Sequence, residues 1–181
     1  MQSAMATTAL VRTDPIREAT GNDLPAMADI FIAGQDEHHH RFPEIFCAPT
    51  DRSAIAGYLR NYLKPRNPFR TRTHFAWVWQ DEGQTGGYLL FQWRQSSDIF
   101  FGADRWSCYV DDIAVAADQR GRGIAKALLT RLVTLTDTKP GCLTVAQVWR
   151  GNTASEALFE KAEFTACSQA FHRVTTRSPQ P

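Results

Sequence analysis

The chain has 181 residues, 43% of them hydrophobic and 22% charged, a balance that suits one globular domain with a sizeable core. Its formal net charge of +1 gives no electrostatic case for nucleic acid or an anionic membrane as partner. No apolar run is long enough to span a bilayer, and the first residues lack the apolar stretch of a signal peptide.

Residues 1–10 read as an N-terminal tail, 11–176 as a single domain and 177–181 as a C-terminal tail. Residues 14–19 can form a first short strand. Asn22 or Asp23 can then cap a helix with Pro25 in its first turn. Leu24, Met27, Ala28, Ile30 and Phe31 recur at near-helical spacing. The pattern decays at His38-His39-His40, and Pro43 and Pro49 mark an irregular loop. Three consecutive histidines make a poor chelate and no Cys or acidic cluster completes one, so no metal is expected. Asp51 or Ser53 opens a second helix carrying Ile55, Tyr58, Leu59 and Tyr62, ended by Pro65 and Pro68.

Residues 74–80 alternate and are rich in aromatics, residues 81–84 form a turn, and residues 87–94 complete a hairpin. Trp77, Trp79, Phe91 and Trp93 read as core and groove lining. After a polar connection at 96–104 comes a strand at 106–116. A helix follows at 122–136, with Ile124, Leu128, Leu132 and Leu135 on one face. Lys139-Pro140-Gly141 turns the chain into a strand at 142–149. A helix at 152–161 and a last strand or strands within 163–174 end the domain. Strand, helix and strand make one right-handed βαβ crossover after an antiparallel hairpin, a mixed α/β domain. Cys47, Cys108, Cys142 and Cys167 show no metal or Cys-x-x-Cys spacing, which implies buried or free thiols in a reducing cytoplasm.

The chemistry concentrates where the strand with Asp111 and Asp112 feeds Arg120-Gly121-Arg122-Gly123-Ile124-Ala125-Lys126 and then an amphipathic helix. A helix N-terminus offers unpaired N–H groups and the positive end of a dipole. Gly121 and Gly123 allow close backbone approach, and Arg120, Arg122 and Lys126 add charge. Basic residues are disfavoured at a helix start unless an anion joins them, so the turn reads as a phosphate cradle. Asp111 and Asp112 are adjacent on a strand and ordinarily point to opposite faces, so at most one is expected in a given cleft. Either can be a general base, or merely an ion-pair or turn contact.

Arg120-Gly121-Arg122-Gly123-Ile124-Ala125 resembles the Gln/Arg-x-x-Gly-x-Gly/Ala signature of the GNAT acetyltransferase superfamily. Tyr109 to Val115 is similar to that family's central strand, Leu128-Leu129 to the continuation of its helix, and Asn152 to Phe164 to its next helix and exit. The resemblance implies the GNAT fold: a mixed, mostly antiparallel sheet flanked by helices, with two strands splayed around the thioester arm. It implies acetyl-CoA as co-substrate, with pyrophosphate on the amides of Gly121 to Lys126 and the pantetheine arm along Ile113, Ala114 and Val115. It implies an N-acetyltransferase acting directly on a small-molecule or peptide amine, and a possible homodimer. Asp111 is then the favoured base and Asp112 a substrate contact. Asn152 would hydrogen-bond the cofactor arm, or cap its helix, or both.

The match departs at two places. Phe159 stands where many relatives carry a Tyr that protonates the leaving thiolate; Tyr109 or water would have to serve, or the domain binds acyl-CoA without catalysis. Glu163 stands where relatives usually have Gly before Phe164. The acceptor site is expected from residues 31–46, 58–69 and the hairpin, with a histidine of the His38–His40 run shaping it or helping as a base.

Overall fold

The computed structural model describes residues 14–63, 73–96 and 105–174. Both expected terminal tails, the expected helix breakers Pro65 and Pro68 and most of the expected connection at 96–104 lie outside these residues. Five strands form one sheet in the order β1 (Ile16–Glu18), β2 (His74–Asp81), β3 (Gln84–Ser96), β4 (Arg105–Val115) and β5 (Leu143–Ala146). The first four pair antiparallel, and β5 joins β4 in parallel through the crossover helix. The β2–β3 hairpin closes through Glu82 and Gly83, both with positive φ (49° and 80°), the two-residue geometry that matches strand twist.

Four helices cover the two faces: α1 (Leu24–Arg41) and α2 (Arg52–Arg60) on one, α3 (Ile124–Asp137) and α4 (Thr153–Lys161) on the other. Period-2 alternation in the strands divides the core accordingly. Leu89, Phe91, Trp93, Cys108 and Val110 pack on Ile124, Leu128, Leu129, Leu132 and Phe159. Ala76, Val78, Tyr88 and Leu90 pack on Met27, Ala28, Ile30, Leu59 and Tyr62. The mixed, mostly antiparallel sheet expected from the sequence is therefore present, with helices on both faces. Burial pushes the Cys108 thiol up to about 12, so it is inert. Among the described residues no helix is long and apolar enough to cross a membrane.

A reciprocal cap opens the short 3-10 turn Gly21–Asp23 that leads into α1. The Asp23 carboxylate, 4% exposed, accepts from the Thr20 amide (2.8 Å) and from the hydroxyls of Thr20 (2.9 Å) and Thr85 (3.0 Å). It also takes both terminal nitrogens of Arg17 at 2.8 Å. Burial alone would raise its pKa; these donors more than offset that and hold it at about 2. Helix α1 does not end at the histidines as expected. It runs through them to Arg41, where basic side chains favour a helix C-terminus and Nδ1 of His40 meets the Asp36 carbonyl at 2.8 Å. Asp51 caps α2 by accepting from the Ala54 amide at 2.9 Å.

The last strand expected within 163–174 is absent; residues 165–174 are irregular and exposed. Their small and polar side chains bury little, and Phe171 is 88% exposed. Helix α4 stops in a Schellman motif: the Phe164 amide donates to the Phe159 carbonyl and the Glu163 amide to that of Glu160, both at 3.0 Å. Phe164 and Phe159 also touch, ring centroids 5.2 Å apart. This motif needs a left-handed residue, and Glu163 supplies it at φ 65°. Glu163→Gly should therefore stabilise the protein by about 1 kcal/mol, read as a higher denaturant midpoint at unchanged slope.

Candidate active site

Strands β4 and β5 pair only from Ser107–Leu143 to Val110–Ala146. Beyond Val110, β4 continues to Val115 on β3 alone, while the chain after Ala146 leaves the sheet. The strand expected over 142–149 is thus shortened at both ends, and the edge of residues 111–115 toward β5 has no strand partner among the described residues. A cavity of about 140 Å³ fills the gap, lined on the strand side by Val110, Asp111, Asp112, Ile113 and Ala146 to Trp149. Phe31, Gln35 and His38 of α1, with Phe46, close one wall; Asn152, Ser155 and Phe159 of α4 close the other. A larger open groove, about 450 Å³, runs along α3 past Gly123 and Lys126 to Asp14, which is tied to Arg131; it contains neither β4 carboxylate.

Both carboxylates face the α1–α2 side, against the expectation of opposite faces. The cause is a bulge. Leu90 pairs with Asp112 and Phe91 with Val110, so Asp111 is an extra residue without a partner on β3. Asp111 accepts from the Tyr62 hydroxyl at 3.0 Å and from Nε2 of Gln92 at 2.7 Å, and stands exposed. Asp112 is half-buried and accepts from the Tyr88 hydroxyl at 2.5 Å. Desolvation, helped by the Asp111 charge, outweighs that bond and the Ile113 amide and raises the Asp112 carboxyl to about 6. Burial keeps Tyr62 and Tyr88 protonated, so both remain donors. Tyr58 extends the chain through Tyr62 at 3.1 Å.

The residues expected to hold a cofactor are placed as follows. Ile113 and Val115 pack toward α3 and Ala114 toward α1, leaving recognition on this strand to the backbone. Gly121 (φ 78°) and Gly123 (φ 79°) are left-handed, and a Cβ at either would meet no atom within 4 Å. Gly123 caps α3, so the N–H groups of Ile124, Ala125 and Lys126 are those a helix leaves unpaired; the Ile124 side chain itself is buried. Arg120 pairs with Glu37 of α1 at 2.7 Å and Arg122 with Asp81 at 3.0 Å, so both guanidiniums already hold anions of this chain. These pairs are half-exposed and weak, and can yield to phosphate. Asn152 caps α4, its Oδ1 accepting from the Ser155 amide at 3.2 Å, while lining the cavity. Phe159 lines the same wall. Tyr109 does not line the cavity; the Arg94 guanidinium lies 4.4 Å above its ring.

The sequence offered a histidine of the His38–His40 run for the acceptor site or as a base without saying which, and the structure separates the three. Nδ1 of His39 meets the Phe46 carbonyl at 2.6 Å, His40 turns to Asp36, and His38 faces the cavity with its ring stacked on Phe46, centroids 5.2 Å apart. Phe31, Gln35 and His38 follow i, i+4, i+7 spacing, a helix-face signal that would have found this wall.

Comparisons with known proteins bear on this geometry. The model of the Acetyltransferase (GNAT) family matches residues 35–164, well over half of the chain. The chain belongs to the GNAT acetyltransferase family, whose members use acyl-CoA as co-substrate. No curated protein matches it significantly. Among solved structures it is similar to a mutant of the BH1408 protein from Bacillus halodurans, at 19% identity and TM-score 0.72 over 89% of this chain and 99% of that one. A possible acetyltransferase from Clostridium difficile 630 shares 15% identity at TM-score 0.66, covering 90% and 97%. An aminoglycoside acetyltransferase from an uncultured soil metagenomic sample shares 20% at TM-score 0.56, covering 90% and 97%. At these identities the likeness extends to the fold.

Proposed function

We propose that this protein is an acetyl-CoA-dependent N-acetyltransferase that serves a primary amine of a small molecule or peptide in a ternary complex. The observation that carries this reading is the bulge that brings both Asp111 and Asp112 to one face beside the strand gap. Bound acetyl-CoA supplies an activated acetyl group. The amides of Gly121 to Lys126 hold its phosphates, and the backbone of Ile113 to Val115 and Asn152 hold its arm. Amides near Val115 polarise the carbonyl.

We assign the base to Asp112 rather than to Asp111, which the sequence favoured. Its carboxyl near 6 is ionised at neutral pH and positioned to take the proton that the attacking amine nitrogen sheds as its bond to the acyl carbon forms. Asp111, at the cavity mouth, attracts the cationic acceptor. Juxtaposition contributes effective molarities of roughly 10⁵ M or more, so a modest base suffices. We route no proton through Tyr109. A thiol with a pKa of about 8.5 departs without a dedicated acid, and Phe159 has no proton to give.

Thiol release from acetyl-CoA with a panel of primary amines tests the reading; release dependent on an amine supports it. Binding of acetyl-CoA without release for any amine would favour the alternative that Phe159 suggests, a non-catalytic acyl-CoA sensor. Phe159→Tyr should leave kcat unchanged or raise it, measured by the same release. A large fall would show that the phenyl ring itself positions the arm.

A further inference from the structure

His38 stands apart among the cavity residues. Its Nδ1 is buried and has no hydrogen-bond partner among the described residues. A buried polar nitrogen without a partner forfeits a hydrogen bond, so it is a place where a ligand atom gains one. The ring cannot swing away freely: it stacks on Phe46 with planes 21° apart, and Phe46 in turn meets Trp149 edge-on at 4.7 Å. Burial first, then the Arg41 charge, lower the His38 pKa against the opposing pull of Glu37, so the ring is neutral at neutral pH.

The surroundings narrow the ligand. Phe31, Phe46 and Trp149 form an aromatic wall, and Asp111 and Asp112 form an anionic floor in the same cavity. The floor suits an ammonium and repels a carboxylate. The wall suits a flat ring. A neutral imidazole has one donor and one acceptor nitrogen, and a hydroxyl can answer either tautomer at Nδ1. The space, about 140 Å³, lies below the 300 Å³ or so of pockets that enclose drug-sized ligands.

We infer that His38 is a recognition residue for the acceptor, and that the acceptor is a small primary alkylamine carrying a hydroxylated aromatic ring: ring on the Phe46–Trp149 wall, ammonium at Asp111 and Asp112, hydroxyl on Nδ1 of His38. This rests on the N-acetyltransferase reading.

The test compares phenethylamine with its three ring-hydroxylated isomers, by calorimetric binding to the full chain and by thiol release from acetyl-CoA. At least one isomer should bind about tenfold tighter than the parent amine and show a correspondingly lower KM at similar kcat. His38→Phe keeps the stack and should abolish that preference, so that phenethylamine and its hydroxylated isomers bind alike. His38→Asn returns a polar atom and should restore part of it. Equal affinities across the four amines, or a preference that survives in His38→Phe, would overturn the inference. If none binds while other amines still release thiol, only the substrate class falls. If no amine of any class releases thiol, the transferase reading falls, and a hydroxyl preference in binding still upholds the His38 site.

Discussion

Asp112→Asn is expected to lower kcat about 10²-fold or more with acetyl-CoA affinity nearly unchanged. The base must be ionised to work, so the parent's rate should climb with pH through about 6, where the Asp112 carboxyl titrates. That limb should vanish in the variant. Loss of fold would mimic the loss of rate, but the linkage predicts the opposite sign. A carboxyl raised from 3.8 to about 6 contributes stability below its unfolded pKa that is lost as pH rises through its folded one. Near neutral pH, Asn should therefore be as stable as Asp or better, by up to about 3 kcal/mol if it keeps the Tyr88 contact. Thermal melts on both sides of pH 6 check this. Asp111→Asn should act mainly on KM for the amine. A larger kcat effect there than at Asp112 would reverse the two roles.

Gly123→Ala should cost tenfold or more in acetyl-CoA affinity. The methyl group would project at the mouth of the N–H groups that open α3, where a phosphate has to approach closely. Left-handed backbone also penalises any Cβ by about 1–2 kcal/mol, so stability alone is a poor readout. Gly83 is a matched control: φ 80°, open space around its Cβ, and a place in the β2–β3 turn. Gly83→Ala should show similar destabilisation with affinity intact. Calorimetry on the two variants separates strain from contact, and equal affinities would remove the cradle from Gly123.

The elements with strong local signals were legible in the sequence. Alternating aromatics gave β2 and β3, leucines at helical spacing gave α3, and Asn152 announced the start of α4 by its cap. What escaped depends on tertiary context. The segment 163–174 has strand-like composition, but a strand forms only against a partner edge, and none pairs with it among the described residues. Glu163 adopts φ 65° because the Phe164–Phe159 contact and two carbonyl bonds hold the turn, which no propensity foretells. The left-handed glycine turn that opens α3 was legible because glycine, charge and helix start adjoin in the chain. Of the cavity wall, residues 31–46 were legible as a segment, but Trp149 was not, since it meets Phe46 only after folding.

The bulge in β4 is a change of phase. Upstream of it Cys108 and Val110, even-numbered, turn toward α3; downstream Ile113 and Val115, odd-numbered, do the same. A strand read as one continuous alternation must misplace one half. The extra position belongs to neither half, so excising Asp111 alone should rejoin the two phases into an uninterrupted ladder, with Val110, Ile113 and Val115 still facing α3. Excising either aspartate yields the same chain, with one Asp between Val110 and Ile113, whereas excising Ile113 would strip a paired position from the ladder. The irregularity would then be the one place in the central strand where the chain can be shortened without disturbing the core, and the shortened protein should melt as a folded domain while its amine site loses one of two negative charges. A fold that can spare a residue and nonetheless carries it has kept that residue for the cleft.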